Sequence, residues 1–362
     1  MKSQKSPGVT LLNNKPLVIA GPCSAETEEQ VMSTAMELKK VGRVDYFRAG
    51  IWKPRTRPGT FEGIGTKGLP WLQSVKAETG IPVTVEVANA KQVEDALHFE
   101  VDMLWIGARS VVNPASVQEI ANALKGSDVP VLIKNPLSPV LDLWTGAVER
   151  IRKAGIDNLG LIHRGFSAIG NTQYRNVPMW HLAIQMKKRH PELKMICDPS
   201  HIAGKRHLVE EVALKSAELG LEGVMIESHI NPDKAWSDAA QQVTPAKLAE
   251  ILNKLKWNKE DKLKNDITEG LGEYREEINL IDEEHVQLIS QRMKLAEKIG
   301  EYKKQNNMEI LQSERWNAVL QQAIKNGERS GLSIEFMNRL FMAIHLESLM
   351  RQKSIEGLKK CD

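Results

Sequence analysis

Two sets of side chains in this chain are of types that do chemistry. One is Cys23, His201, Glu227 and Asp238: a thiol, an imidazole and two carboxylates, enough for a four-ligand divalent metal site. Mixed soft and hard donors suit several first-row metals, which leaves manganese, iron, cobalt and zinc open. The other is cationic: Arg48, Lys53, Arg55, Arg109, Lys134 and Arg164. Around one mouth these charges would repel each other. An anionic ligand relieves that repulsion, and guanidinium forks match phosphate and carboxylate oxygens. Taken singly, each residue has a plainer role: Cys23 as a small core residue, His201 beside a helix cap, the cations as solvated loop charges. The question is whether the chain gathers them.

The elements that would do so recur through the first 257 residues. Eight β-rich runs, LVIAG (17–21), DYFRAG (45–50), PVTVEV (82–87), MLWIGA (103–108), PVLIKN (130–135), LGLIH (159–163), KMICD (194–198) and GVMIES (223–228), alternate with amphipathic segments of helical spacing. That alternation argues parallel βα units, and eight of them fit a closed (β/α)8 barrel better than an open doubly wound sheet. The C-terminal ends of barrel strands build the active site. Cys23 follows the first run, Arg48, Lys53 and Arg55 surround the end of the second, and Glu86 closes the third. Arg109, Lys134 and His163-Arg164 end the next three, His201 follows the seventh, Glu227 closes the eighth and Asp238 lies beyond it. Gly63-Ile-Gly-Thr-Lys-Gly68 spells the dinucleotide fingerprint, but no strand precedes it and Pro70 follows closely, so a nucleotide site is not expected.

The grammar then changes. All 16 prolines lie at or before Pro245 in a chain of 362 residues, as a switch to long uninterrupted helices requires. The charged stretch at 258–264 reads as a linker, giving a barrel at 1–257 and an all-helical region at 265–362. In that region Leu271, Tyr274, Ile278, Ile281, His285, Leu288, Arg292, Leu295, Ile299 and Tyr302 recur at spacings of three and four, one long helix with a heptad-like stripe. A plain dimerisation coiled coil would explain the stripe, with His285 a satisfied seam residue, but not Arg292, whose burial without a partner is costly. Arg292 and Lys303 share a helix face; Arg275 lies about 26 Å along the axis from Arg292 and cannot grip the same small molecule unless it comes from an antiparallel second chain.

Composition limits the rest. A chain that is 41% hydrophobic and 26% charged is globular, and three cysteines form no disulfide framework, so a reduced, cytoplasmic setting is expected. No signal-peptide stretch or membrane-length apolar run occurs. The net charge of +3 includes a C-terminal region with 17 Lys+Arg against 19 Asp+Glu, which argues against nucleic acid as a partner.

GPCS, RAGIWKPRT (48–56), IGAR (106–109), LIK (132–134), HRG (163–165), DPSHIAGKR (198–206), IESH (226–229) and SDAAQQ (237–242) resemble the short bacterial 3-deoxy-D-arabino-heptulosonate 7-phosphate (DAHP) synthases, in order, over roughly 15–256. That resemblance implies Cys23, His201, Glu227 and Asp238 as ligands of one divalent metal, manganese favoured. It implies Arg48, Lys53, Arg109, Lys134 and Arg164 for phosphoenolpyruvate, and Lys53, Arg55, Thr56 and Asp238 for erythrose 4-phosphate. Lys134 and Lys53 would be catalytic, Lys134 in proton transfer. The sister 3-deoxy-octulosonate 8-phosphate synthases typically have K-A-N-R-S where this chain has Lys53-Pro-Arg-Thr56, which favours DAHP synthase.

YREEINLID (274–282), SQR (290–292), GEYK (300–303), SERW (313–316) and ESLMRQ (347–352) are similar to the all-helical chorismate mutases, over about 265–355. That family is an intertwined dimer, which implies Arg275 lent by the partner, with Arg292, Lys303, Arg315, Ser348 and Gln352 completing a chorismate site. Arg292, Lys303 and Gln352 would be catalytic, the last two at the ether oxygen. Trp316 stands where the family often has glutamate, and Gln312 where it often has aspartate. The expectation is a bifunctional enzyme, a homodimer through its helices and possibly a tetramer, with feedback by prephenate or chorismate. The alternative is a DAHP synthase whose helical region only dimerises and senses.

Overall fold

The structure is a computed structural model that describes residues 15–54, 59–167, 173–257 and 269–357. It divides into two compact units, Met1–Lys259 and Glu260–Asp362. The expected linker at 258–264 lies outside the described residues.

In the first unit every expected β run contains a strand: β1 (Leu17–Gly21), β2 (Tyr46–Arg48), β3 (Val83–Val87), β4 (Met103–Ile106), β5 (Val131–Lys134), β6 (Leu159–His163), β7 (Lys194–Cys197) and β8 (Gly223–Glu227). All neighbours pair in parallel, in chain order, and the sheet closes. The closing seam runs from Leu17 opposite Gly223 to Gly21 opposite Glu227, which eliminates the open sheet. Around the barrel lie α1 (Glu28–Val41), α2 (Leu69–Thr79), α3 (Ala90–His98), α4 (Ala108–Val111), α5 (Pro114–Leu124), α6 (Leu141–Lys153), α7 (Trp180–Arg189), α8 (Pro199–Ala203), α9 (Val209–Glu218) and α10 (Pro245–Lys254). Their ends follow local chemistry. Thr27 caps α1 by accepting from the Gln30 amide, and Gly42 ends it in the left-handed conformation at φ +69°. Asn113-Pro114 and Thr244-Pro245 start α5 and α10 with a side-chain cap and a proline that has no amide to lose. Gly65–Gly68 is a short 3-10 turn running into α2, not a loop rising from a strand.

Two apolar layers result. Leu17, Ile19, Tyr46, Met103, Trp105, Leu132, Ile162, Ile196 and Met225 fill the barrel interior. Their alternate neighbours, with the inner faces of the helices, form the larger layer outside it. Successive strand residues face opposite sides, so the interior set fixes the inward parity of every strand. Two residues beyond the last apolar inward position, that parity arrives at the barrel mouth.

The second unit is α11 (Glu269–Gln305), α12 (Ser313–Arg329) and α13 (Ile334–Gly357). Glycines allow close packing: a Cβ on Gly300 would meet the Gln352 backbone at 3.1 Å, and one on Gly327 would meet Met337 at 2.4 Å. Met293, Ala296, Ala323 and Met337 are buried, while Ile278, Ile281, Leu288, Leu295, Ile299 and Tyr302 of the expected stripe are each 46–63% exposed within the chain. No helix among the described residues is long and apolar enough to cross a membrane.

The outer layer yields a stability prediction. Trp144 is fully buried and donates from its indole nitrogen to the Ile133 carbonyl at 3.1 Å. Trp144→Ala should destabilise the barrel by roughly 3–5 kcal/mol, the range for deleting a buried aromatic. Urea unfolding followed by circular dichroism measures it; a loss under about 1 kcal/mol would contradict this account of the layer.

Candidate active site

Inward parity carries charged side chains to the mouth. Tyr46 leads to Arg48 on β2, Leu132 to Lys134 on β5 and Met225 to Glu227 on β8; Ile162 and Ile196 lead to Arg164 and Asp198 just past β6 and β7. Thr84 and Glu86 are the matching positions on β3. Neighbouring loops add the rest, and Cys23, Arg48, Trp52, Lys53, Glu86, Arg109, Arg164, Arg175, His201 and Asp238 line one cleft. His163, adjacent to Arg164, has the opposite parity and packs against Phe166 and Trp180.

The cations are held in place by carboxylates, carbonyls and one aromatic ring. Arg48 is 2% exposed, with Nη2 3.2 Å from Glu227 Oε1, while its Nε and Nη1 have no hydrogen-bond partner. Lys134 donates to Asp198 Oδ2 at 2.8 Å. The Trp105 ring centroid lies 5.0 Å from the Arg48 guanidinium and 5.7 Å from the Lys134 ammonium. Trp105 in turn donates to Glu86 Oε2 at 3.1 Å, and a Cβ on Gly107 would collide with Glu86 at 1.9 Å, so a side chain there would displace this carboxylate. Arg164 donates to Asn176 Oδ1 at 2.7 Å, and burial lowers its pKa to about 10. Lys53 donates to both the carbonyl oxygen (2.6 Å) and Sγ (2.7 Å) of Cys23.

The four expected metal ligands stand together in two pairs. Cys23 Sγ lies 3.4 Å from Asp238 Oδ2, and His201 Nε2 lies 3.8 Å from Glu227 Oε1. Among the described residues no three such side chains form a closed metal cluster. The donor chemistry fits a divalent ion nevertheless: Glu227 Oε1 is fully buried, accepts no hydrogen bond and has only the Arg48 ion pair at 3.2 Å, and its Oε2 is already oriented by Gln241 at 2.7 Å. Burial, then Glu227, pushes the Cys23 thiol up to about 12, and a bound divalent cation would favour the thiolate form there. Burial opposes ionisation of Asp238 too, but Arg175, His201 and Lys53 outweigh it and hold the carboxyl at about 2. His201 is kept neutral chiefly by burial, as a metal ligand must be.

Arg55 and Thr56, expected beside Lys53, lie outside the described residues. Three partners were not singled out from the sequence. Asp198 is fully buried and touches both Lys134 and His201 Nδ1, each at 2.8 Å; burial resists its charge, but His201 and Lys134 keep its pKa well below the carboxylate range. The parity that delivers Lys134 could have found it. Trp105 was equally legible as an interior residue. Arg175 was not: it comes from the long connection between β6 and α7 and reaches Asp238 at 3.0 Å and Gln241 at 2.7 Å.

The model of the DAHP synthetase I family matches residues 4–265, most of the chain. The chain belongs to that family. A chorismate mutase type II model matches residues 274–353. With both, it is a bifunctional shikimate-pathway enzyme, a DAHP synthase continued by a chorismate mutase domain. It is 30% identical over 239 residues to the phospho-2-dehydro-3-deoxyheptonate aldolase of Thermotoga maritima, covering 66% of this chain and 68% of that one. It is 31% identical over 264 residues to the 2-dehydro-3-deoxyphosphooctonate aldolase of Magnetococcus marinus, covering 67% and 88%. The crystal structure of the T. maritima DAHP synthase superposes with a TM-score of 0.61 at 29% identity over 67% of this chain and 68% of that chain. DAHP synthases are generally metal-dependent.

In the mutase domain Arg292 Nη1 donates to Ser348 Oγ at 2.6 Å, joining α11 to α13. Lys303 is 8% exposed and donates to the Ile310 carbonyl at 2.7 Å; Gln352 is 8% exposed, with Oε1 lacking a partner. Burial lowers the pKa of Arg292 and of Lys303. Arg315 is exposed in the first turn of α12. Trp316 stacks on His345, with centroids 3.9 Å apart and planes at 10°. The side chain of Arg275 lies outside the described residues.

Asp198→Asn should keep the amide cap, since Asp198 Oδ1 accepts from the His201 N–H at 3.1 Å, while removing the charge between Lys134 and His201. DAHP formation should fall roughly 10- to 100-fold, as for other partners that orient a metal-site histidine. Initial rates beside circular dichroism test it; an unchanged kcat would deny Asp198 any part in the site.

Proposed function

We propose that the barrel condenses phosphoenolpyruvate with erythrose 4-phosphate, giving DAHP and inorganic phosphate, at the cleft under Arg48. What carries this is Arg48 itself: a buried guanidinium with two nitrogens unpartnered, facing a cleft lined by Lys53, Arg109, Arg164 and Arg175, calls for an anion. Arg48, Lys53, Arg109, Lys134 and Arg164 would hold the phosphate and carboxylate of phosphoenolpyruvate. Lys53, Asp238 and, by sequence, Arg55 and Thr56 would receive the sugar phosphate. Cys23, His201, Glu227 and Asp238 would hold the divalent ion, which we take to be manganese. When bound, that ion supplies Lewis-acid polarisation of the aldehyde. C3 of phosphoenolpyruvate forms the new bond to the aldehyde carbon, water adds at C2 and phosphate departs from C2. Lys134, which donates to Asp198 at 2.8 Å, would move the proton at the enol end. Lys53-Pro-Arg-Thr56 in place of K-A-N-R-S supports erythrose 4-phosphate over the longer sugar.

For the mutase domain we infer that Arg292, Lys303, Arg315, Ser348 and Gln352 bind chorismate, with Lys303 and Gln352 toward the ether oxygen. The rearrangement needs no nucleophile; preorganised charge and a compact substrate conformer suffice. The exposed stripe on α11 is best covered by a second copy, whose antiparallel helix would bring Arg275. The same site is where prephenate or chorismate would act back on the synthase. Cys23 and Cys197, both buried and unpaired, suit a reducing cytoplasm.

Two experiments check these roles. Dialysis against a chelator should abolish DAHP formation and manganese should restore it, while chorismate turnover by the same chain stays unchanged; DAHP formation surviving full metal removal would defeat the metal assignment. Leu295→Glu, on the stripe at 59% exposure, should yield a monomer by light scattering and lose chorismate turnover. A fully active monomer would show that no residue is borrowed.

A further inference from the structure

The polar face of α13 carries a group to which the proposed chorismate site gives no role. His345, Ser348 and Gln352 stand three and four residues apart on α13 and therefore share a face. Ser348 on that face accepts from Arg292, and the His345 ring is close enough to Arg292 and Lys303 to feel both charges. Trp316, in the first turn of α12, lies flat against His345 at 3.9 Å and 10°, which fixes the plane of the imidazole. No hydrogen bond to either ring nitrogen of His345 occurs among the described residues. Burial first, and Arg292 and Lys303 after it, favour the neutral ring, which offers one donor and one acceptor nitrogen.

A stacked, neutral imidazole among cations adds little to anion binding. What it adds is a directional hydrogen bond to an uncharged oxygen. Chorismate has two carboxylates and an ether oxygen for the cations, and one secondary ring hydroxyl that no cation needs to address. We propose that His345, positioned by Trp316, is a specificity-determining residue of the mutase site that hydrogen-bonds this ring hydroxyl. The proposal rests on the assignment of chorismate to the site lined by Arg292 and Lys303. Trp316 is a positioning residue: its indole face holds the imidazole edge toward the substrate.

The test separates packing from hydrogen bonding and uses the full-length chain. His345→Phe keeps a ring against Trp316 but removes both nitrogens; His345→Gln restores a donor and an acceptor without the stack. Expected is a loss of roughly tenfold or more in kcat/KM for chorismate in His345→Phe, the size of one hydrogen bond to a polar group in a site, with partial recovery in His345→Gln. With a chorismate analogue lacking the ring hydroxyl, wild type should lose a similar factor and His345→Phe should treat analogue and chorismate alike. Trp316→Ala should lose activity too, and adding it to His345→Phe should cost little more. Circular dichroism and light scattering certify fold and association. Wild-type kcat/KM in His345→Phe would overturn the proposal while leaving the site intact. Full activity in Arg292→Ala would instead overturn the site assignment, and the proposal with it.

Discussion

Everything in the barrel mouth depends on how several like charges are kept in a space with little water. Arg48, Lys134 and Arg164 are all buried there, and taking a charge out of water is costly unless it is paired. The structure answers with buried carboxylates for two of them, Glu227 beside Arg48 and Asp198 beside Lys134, and with the Asn176 side-chain oxygen for Arg164; nearer the surface, Arg175 pairs with Asp238. The match is incomplete by design of the side chains present. Arg48 retains two nitrogens without a hydrogen bond, and Glu227 Oε1 has only its ion pair with Arg48, so the site has capacity left for both an anion and a cation. A two-substrate reaction with a metal is the kind of chemistry that satisfies both.

Most of this was legible in the sequence because one rule ties strand to site. Each apolar interior residue sets the parity of its strand, and the charged residues found at the mouth lie on that parity or in the loop just after it. Barrel closure was less certain from pattern alone, since alternating strands and helices also describe open sheets; the pairing of β1 with β8 decides it. Arg175 escaped because loop residues obey no period. Asp198 was overlooked for a different reason. It sits between a strand and a helix cap and reads as the cap, which it also is.

The helical domain obeys the opposite economy. Among the described residues its helices bury few large apolar side chains within one chain, and the polar Lys303, Ser348 and Gln352 are among the most buried. The heptad stripe was legible, and the departures at Trp316 and Gln312 were legible as departures. What Trp316 does was not, because a stacking partner on another helix leaves no trace in local spacing. A residue type that is unexpected in isolation becomes intelligible once His345 is seen beneath it.

Trp105 carries a consequence of its own. Its ring sits within reach of two buried cations, while its indole nitrogen is tied to Glu86. The negative face of an aromatic ring attracts cations through its quadrupole. Unlike Asp198 or Glu227, that face has no proton to gain in acid and no counter-ion to trade with salt. Part of the restraint on Arg48 and Lys134 is therefore deaf to the medium, and the geometry of the two cations has an anchor that solution conditions do not reach.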